Sequence, residues 1–372
     1  MPKIKILSLL ILFCLLATFS SAQTYPLENI QLPQGFKIEL YAKGIPNARS
    51  LALGDNNTVF VGNRKDGKVY ILTDRNQDYK VDKIFTLTDI FETPPNGVAY
   101  KDGSLYIGEI GRVLRIDHME DGIPPATIKP IVITDKLPKD SWHGWKVIRF
   151  GPDGKLYIPV GSPCNTCLKS DERYGSIMRM NPDGSELEVF ARGLRNSVGF
   201  DWDAETNELW FTDNGRDNLG DDLPPDELNH APRAGMHFGF PYCFGKEISD
   251  PEFGQQRACS EFEPAAQELG PHVASLGMRF YRGEMFPREY KNQIFIAEHG
   301  SWNRSKKIGY RISLVKVKDN QVVSYEDFAT GWKQGENVWG RPVDVLNMPD
   351  GSLLVSDDYA GAVYRIYYEG QK

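Results

Sequence analysis

A short strand motif recurs six times along the chain, and no other sequence feature restricts the possible folds as strongly. Each copy is an apolar, alternating segment that follows a turn. Three copies directly follow Asp-Gly, which is typical of hairpin turns because glycine tolerates positive φ. The copies occupy residues 58–61, 104–107, 155–158, 208–211, 293–296 and 352–355.

The surroundings of the motif define a repeating unit. An apolar strand precedes each copy, although the strand before the fifth copy is the weakest match. A third strand follows most copies. All intervals between copies except one fit a four-stranded unit of about 40–60 residues. The sequence therefore predicts an all-β fold, a six-bladed β-propeller of four-stranded antiparallel blades. A length of 372 residues also allows two domains, and a pair of β-sandwiches is the alternative fold, but neither requires six matching strand triplets.

The long interval, between the fourth and fifth copies, predicts a loop insertion at about residues 214–273. It contains an acidic loop with five carboxylates within eleven residues. Such a loop suits a hard cation, and Ca²⁺ is the natural choice outside the cytoplasm, although a solvated acidic loop is the alternative. The carboxylates are those of Asp217, Asp221, Asp222, Asp226 and Glu227.

Polar side chains stand just before the first strands of the blades. The innermost strands of a propeller all run in the same direction, so these positions gather around one mouth of the central channel. The formal net charge of the chain is -7, so a basic cluster here is a local exception. It predicts a site for an anionic ligand rich in hydrogen-bond acceptors, whereas nucleic acid is excluded as a partner because no long basic run is present. The residues are Arg49, Asn96, His143, Arg195, Asn196 and Arg341.

The N-terminus predicts export. Lys3 and Lys5 precede an apolar stretch and a small-residue segment, which together are typical of a signal peptide at residues 1–22. The apolar stretch is too short for a membrane span, and no candidate span follows it. Residues 23–372 then form a single propeller domain, secreted or periplasmic.

The cysteines agree with export. Four of the five lie beyond the signal, and an even number in an exported chain favours disulfides. Pairing Cys164 with Cys167 and Cys243 with Cys259 is the simplest of three connectivities, and a metal site formed by all four is the alternative.

Several stretches, in this order and spacing, resemble a known family. They are Leu-Pro-Gln-Gly-Phe at 32–36, Gly-Pro-Asp-Gly-Lys-Leu-Tyr at 151–157, Gly-Leu-Arg-Asn at 193–196, Asp-Asn-Gly-Arg at 213–216, Asp-Glu-Leu-Asn at 226–229, Gly-Met-His-Phe-Gly-Phe-Pro at 235–241 and Glu-His-Gly-Ser-Trp-Asn-Arg at 298–304. The chain resembles the glucose/sorbosone dehydrogenase family of soluble sugar dehydrogenases, which have six-bladed propellers and depend on pyrroloquinoline quinone (PQQ). The last stretch is similar to the sorbosone and pyranose dehydrogenase branch.

The resemblance implies a role for each matching position. His143 is the implied base that takes a proton from a sugar hydroxyl, and Arg195 is implied to polarise a quinone oxygen. PQQ carries three carboxylates, which suit the arginines, and Ca²⁺ is implied to act as a Lewis acid. The implied cofactor contacts are Arg64, Asn96, Arg195, Asn196, Arg304 and Arg341, and the implied metal-binding residues are Gly215, Arg216, Asp226 and Glu227.

One position departs from the family pattern. Glucose-oxidising members carry an acidic residue nineteen positions after the histidine, where this chain has Ser162. The substitution argues against simple glucose oxidation and leaves the identity of the sugar open. The resemblance to the sorbosone branch implies an aldose or ketoaldose resembling sorbosone as the substrate. No haem-attachment motif is present because Leu168 follows Cys167, so a separate acceptor, a soluble cytochrome or a quinone, is expected to take the electrons. A metal-dependent lactonase and a non-catalytic propeller that binds glycans or protein are the alternative functions.

Overall fold

The computed structural model describes residues 25–120, 122–125 and 127–370. The predicted signal peptide at residues 1–22 lies outside the described residues. Four 3-10 helical turns are present, Leu27–Asn29, Asp55–Asn57, Cys259–Glu261 and Arg288–Tyr290. The strands are β1 (Phe36–Lys43), β2 (Ala48–Leu53), β3 (Val59–Asn63), β4 (Val69–Thr73), β5 (Lys83–Leu87), β6 (Gly97–Lys101), β7 (Ser104–Gly108), β8 (Val113–Ile116), β9 (Ile131–Thr134), β10 (Arg149–Phe150), β11 (Leu156–Val160), β12 (Ser176–Met180), β13 (Glu188–Arg192), β14 (Ser197–Trp202), β15 (Leu209–Asp213), β16 (Pro225–Ala231), β17 (Met236–His237), β18 (Cys243–Phe244), β19 (Ile248–Ser249), β20 (Gln267–Pro271), β21 (Ser275–Phe280), β22 (Ile294–Glu298), β23 (Arg311–Lys318), β24 (Gln321–Ala329), β25 (Lys333–Gln334), β26 (Asn337–Val338), β27 (Pro342–Asn347), β28 (Leu353–Asp357) and β29 (Ala362–Tyr368).

The strands form six blades, which confirms the predicted six-bladed propeller. In chain order the blades are β2–β5, β6–β9, β10–β13, β14–β16 with β20, β21–β24, and β27–β29 with β1. The first strand of the chain completes the last blade, since β1 pairs antiparallel with β29 in the register Phe36 opposite Tyr368. The pairing joins the two ends of the described chain and closes the ring of blades.

The six copies of the sequence motif form the second strand of every blade: β3, β7, β11, β15, β22 and β28. Five of these strands are buried at every position, because each blade packs between two neighbours. The core accordingly divides into six clusters, each built from two adjacent blades. Phe60 of the first blade, for example, lies in one cluster with Leu105 and Ile107 of the second.

The predicted insertion is shorter than residues 214–273. Strands β16 and β20 lie inside that range, and they are the third and fourth strands of the fourth blade. The extra chain therefore runs from residue 232 to residue 266, where β17 adds a parallel edge strand to β13 of the preceding blade. The sequence did not predict β16 as a strand, because it begins at Pro225 and contains Asp226 and Glu227, which were interpreted as part of an acidic loop.

Two disulfides join Cys164 to Cys167 and Cys243 to Cys259. The simplest predicted connectivity is thus confirmed, and a four-cysteine metal site is excluded. No helix among the described residues has the length and apolar character needed to cross a membrane.

Candidate active site

A cavity of about 560 Å³ opens where the first strands of the blades begin. The predicted mouth residues all line it, as do Arg64, Gly215 and Asp226. The strand order explains this convergence: within a blade, the residue before the first strand lies beside the residue after the second, antiparallel strand. The whole lining consists of Arg49, Arg64, Asn96, Ser141, Trp142, His143, Trp145, Val147, Arg195, Asn196, Val198, Asn214, Gly215, Asp217, Asp226, His272, Ala274, Leu276, His299, Trp302, Asn303 and Arg341.

One wall of the cavity is a cationic cluster organised around Asp358. This carboxylate lies 3.0 Å from Nη1 of Arg49 and 3.4 Å from Nη1 of Arg64, and it accepts a 2.8 Å hydrogen bond from Nε2 of His299. Burial alone would raise the pKa of Asp358, but His299 and the two guanidinium groups outweigh it and hold that pKa well below its usual range. Two guanidinium charges share one carboxylate, so this wall is positive.

Arg341 adds a third guanidinium. Its Nε and Nη2 donate to the backbone oxygens of His299 and Gly300 at 3.0 and 2.8 Å. The indole of Trp145 lies 5.3 Å from the guanidinium carbon of Arg49 and 5.1 Å from that of Arg64, both within the range of cation–π attraction. Protein contacts therefore hold Arg49 and Arg341 before any ligand binds, whereas Arg64 is 42% exposed.

His143 faces the cavity as a neutral imidazole. Its Nδ1 donates a 2.8 Å hydrogen bond to the backbone oxygen of Ser162. Burial, together with the nearby charge of Arg195, lowers the pKa of His143 to about 3, and the bond to Ser162 only partly opposes this. Because the carbonyl requires the proton on Nδ1, Nε2 carries the lone pair and can accept a proton. Ser162 occupies the position of the acidic residue in glucose-oxidising members of the family, and its neutral backbone oxygen orients His143.

Arg195 is nearly enclosed, with its side chain 4% exposed. Nη2 contacts the Asp217 carboxylate at 2.8 Å, while Nε donates to the backbone oxygen of Asn165 at 2.8 Å. The backbone amides of Arg195 and Asn196 donate to the carboxylate of Asp213 at 2.8 and 2.7 Å, which fixes the start of β14. The protein itself therefore sets the orientation of this guanidinium.

Of the five carboxylates predicted for the acidic loop, those of Asp217 and Asp226 line the cavity, and that of Asp217 is already paired with Arg195. Asp226 and Glu227 are neighbours in β16 and point to opposite faces of the blade, and of these two only Asp226 reaches the cavity. Asp226 accepts a 2.9 Å hydrogen bond from the amide of Gly215, and Glu227 accepts one from the amide of Gly245. Burial raises the pKa of Asp226 to about 7 and that of Glu227 to about 8. Among the described residues, no cluster of three or more His, Cys, Asp or Glu side chains forms a metal site.

Three predicted site residues lie outside the cavity lining. Glu227 is turned into the blade, as described above. The Arg216 guanidinium forms a buried ion pair with Asp250 at 2.5 Å. Arg304 donates to the backbone oxygen of Asp221, so it ties the acidic loop to the segment after β22. The sequence motif placed these residues next to cavity residues but did not show which way their side chains point.

Several lining residues were not predicted as site residues. Trp142 and Trp302 expose 54% and 71% of their surfaces at the rim, and Asn303 donates to Asp217 at 3.0 Å. A positional signal was available for others, since Asn214 and His299 are the first residues after the second strands of their blades.

Comparisons with known proteins agree with this architecture. The glucose/sorbosone dehydrogenase family model matches residues 108–365. An uncharacterized protein of Borreliella burgdorferi is 35% identical over 355 residues, which cover 92% of this chain and 91% of that protein. The chain belongs to the glucose/sorbosone dehydrogenase family.

Solved structures share the fold at lower identity. The holo form of the pyranose dehydrogenase PQQ domain from Coprinopsis cinerea is 18% identical, with a TM-score of 0.73, covering 91% of this chain and 97% of that one. The calcium structure of a Trichoderma reesei carbohydrate-active enzyme of family AA12 is also 18% identical, with a TM-score of 0.77 and coverage of 92% and 97%. At this identity the likeness establishes the propeller fold.

Proposed function

We propose that the protein is a PQQ- and Ca²⁺-dependent dehydrogenase that oxidises an aldose or ketoaldose of the sorbosone type. The observation that carries the proposal is a neutral histidine in a cavity that is also lined by Arg49, Arg64 and Arg341. Membership of the glucose/sorbosone dehydrogenase family supports a sugar oxidoreductase. The PQQ domain and calcium structure with the same fold support the cofactor and the ion.

The donors of the cavity suit PQQ. Nδ2 of Asn96 and Nε of Arg49 are buried and have no hydrogen-bond partner in the described part of the chain. Unpaired buried donors are costly, so a ligand rich in acceptor oxygens would satisfy them. Arg49, Arg64 and Arg341 would hold carboxylates of the cofactor, with Asn96 and Asn196 as neutral donors. When bound, PQQ would supply the hydride acceptor that side chains lack.

The catalytic work of the chain itself would fall on two residues. Nε2 of His143 would take the hydroxyl proton of the sugar, because burial keeps the imidazole neutral and the bond at Nδ1 orients it. Arg195 would place its positive charge beside negative charge that develops during the reaction. Its many protein contacts would keep it in place without rearrangement.

A calcium ion would need a different donor set from the predicted carboxylate cluster. Of the predicted metal-binding residues, Gly215 and Asp226 reach the cavity. Backbone oxygens near Gly215 would therefore hold the ion together with oxygens of the cofactor. Hard cations accept such oxygen ligands.

The assay for this function is sugar-dependent reduction of an artificial dye. Protein loaded with PQQ and Ca²⁺ is expected to reduce the dye when given aldoses or ketoaldoses, and protein without PQQ is expected to be inactive. Lactone hydrolysis in the absence of PQQ would overturn the proposal in favour of a hydrolase. Glycan binding without either activity would overturn it in favour of a non-catalytic propeller.

Two further properties belong to the same proposal. We expect export, to the periplasm or outside the cell, and the two disulfides support an oxidising compartment. A separate soluble cytochrome or quinone would take the electrons from the enzyme.

A further inference from the structure

The segment 162–167 connects the two candidate catalytic residues and is closed on itself by the Cys164–Cys167 disulfide. The amide of Ser162 donates to the backbone oxygen of Arg195 at 2.8 Å, and the backbone oxygen of Ser162 accepts the Nδ1 hydrogen bond of His143. The hydroxyl of Ser162 lies 3.0 Å from Sγ of Cys164. The residue that orients the histidine therefore contacts the disulfide directly.

Asn165, inside the disulfide ring, holds the arginine. Its side-chain oxygen accepts from Nη2 of Arg195 at 2.9 Å and from the amide of Asp217 at 2.8 Å. Its side-chain nitrogen donates to the backbone oxygen of Asp217 at 3.1 Å. With the bond from Nε of Arg195 to the Asn165 backbone, one short loop organises both the guanidinium and its carboxylate partner.

The loop lies outside the strands of the third blade, between β11 and β12. Strand pairing therefore does not hold it, and its backbone is restricted by the hydrogen bonds to Arg195 together with the covalent ring. The second disulfide, Cys243–Cys259, lies in the extra chain after β16. None of the four cysteines lines the cavity, but Cys164 contacts the hydroxyl of Ser162, whereas Sγ of Cys243 contacts the backbone oxygen of Phe244. The two disulfides thus have different surroundings in one molecule.

We propose that Asn165 and the Cys164–Cys167 disulfide form a positioning device that keeps the proton of His143 on Nδ1 and fixes the direction of Arg195. The expected effect of the device on kcat rests on the proposed function, whereas its effect on the tautomer of His143 does not. Breaking the ring frees the Ser162 carbonyl and the Asn165 side chain together, so both candidate catalytic residues lose their orientation.

The test compares two pairs of substitutions, Cys164→Ser with Cys167→Ser and Cys243→Ser with Cys259→Ser. In protein without cofactor, imidazole ¹⁵N shifts of His143, assigned with a His143→Asn variant, are expected to show the Nδ1–H tautomer in the wild type. The same shifts are expected in the Cys243/Cys259 pair, and a tautomer mixture in the Cys164/Cys167 pair. In the loaded enzyme, kcat is expected to fall by about 10- to 100-fold in the Cys164/Cys167 pair only.

Thermal stability is expected to change in the opposite order. The cysteines are separated by 16 positions in Cys243–Cys259 and by 3 in Cys164–Cys167, and a disulfide that closes a longer loop restricts the unfolded chain more. The Cys243/Cys259 pair is therefore expected to have the lower melting temperature but unaltered kcat. A purely structural role would instead make kcat follow the melting temperature.

Asn165→Ala removes the side-chain contact of the loop with Arg195 but keeps the contact of the Ser162 carbonyl with His143. It is expected to lower kcat while leaving the His143 tautomer of the wild type, because the Ser162 carbonyl remains in place.

If the Cys164/Cys167 pair does not fold, folded wild-type protein can be treated with dithiothreitol. Two electrons and two protons then convert the disulfide into two thiols, and the dithiol becomes a cyclic disulfide. Cys167 also lines a separate cavity of about 180 Å³, which gives the reductant a route.

An unchanged His143 tautomer after loss or reduction of Cys164–Cys167 would overturn the proposal. Equal losses of kcat in both cysteine pairs would overturn it as well. If wild-type protein shows no PQQ-dependent activity, the proposed function fails, and the nitrogen shifts still decide the positioning proposal.

Discussion

Replacing His143 with asparagine is expected to lower kcat for sugar oxidation by a factor of about 10²–10⁴, the usual contribution of a general base. The affinity for PQQ is expected to change little, because the arginines that would hold its carboxylates are held by Asp358 and the backbone of residues 299–300 and not by His143. Steady-state dye reduction gives kcat, and a titration with PQQ gives the affinity. Asparagine is the suitable replacement because the backbone of His143 has a φ of 49°, which asparagine adopts readily.

His118→Asn is the matched control for this substitution. His118 also has a positive φ, 61°, but it is exposed and lies outside the cavity lining. The control is expected to keep the kcat of the wild type. Equal kcat values for His143→Asn and the wild type would exclude His143 as the base.

Asp358→Asn is expected to destabilise the fold by about 3–5 kcal/mol, because it leaves buried guanidinium charge without a partner. The side chains of Asp358 and Arg49 are 2% and 5% exposed. The control is Asp222→Asn, whose carboxylate is 89% exposed and lies 3.5 Å from Arg304. An exposed pair of this kind contributes about 0–1 kcal/mol. Urea denaturation at pH 7 measures the free energy of unfolding of both variants.

The pH dependence of this difference has a definite sign. The pKa of Asp358 in the folded protein is lower than in the unfolded chain, so its contribution is complete above the unfolded value of about 3.9 and is lost as the pH falls towards the folded value. The stability difference between the wild type and Asp358→Asn should therefore shrink below about pH 4. A difference that is small at pH 7, or that grows as the pH falls, would contradict the role of Asp358 as the centre of the cationic wall.

The fold was predictable because each blade must bury its second strand on both faces. Because of that requirement, an apolar motif recurs along the sequence. The six copies form strands β3, β7, β11, β15, β22 and β28. The fourth blade was the exception, since its third and fourth strands are separated by 35 residues of extra chain, at 232–266.

The sequence predicted which residues lie around the cavity, but it did not predict which partners their side chains contact. Arg49, Asn96 and Arg341 line it because chain direction alone places the starts of the inner strands at one mouth. Side-chain direction in loops depends on tertiary contacts, so the sequence did not reveal that Arg304 binds the acidic loop or that Arg216 pairs with Asp250. The substitution at Ser162 was visible, but the use of its backbone oxygen was not, because every residue type has that atom.

Direct titration of the protein with PQQ, with and without Ca²⁺, tests the central claim that this cavity binds an anionic quinone cofactor. We predict saturable binding of one PQQ per chain that Ca²⁺ strengthens. Arg64→Gln, at a half-exposed lining residue, should weaken binding by about 10- to 100-fold, whereas Arg304→Gln, outside the lining, should leave it unchanged. Absence of PQQ binding in the presence of Ca²⁺ would contradict the account.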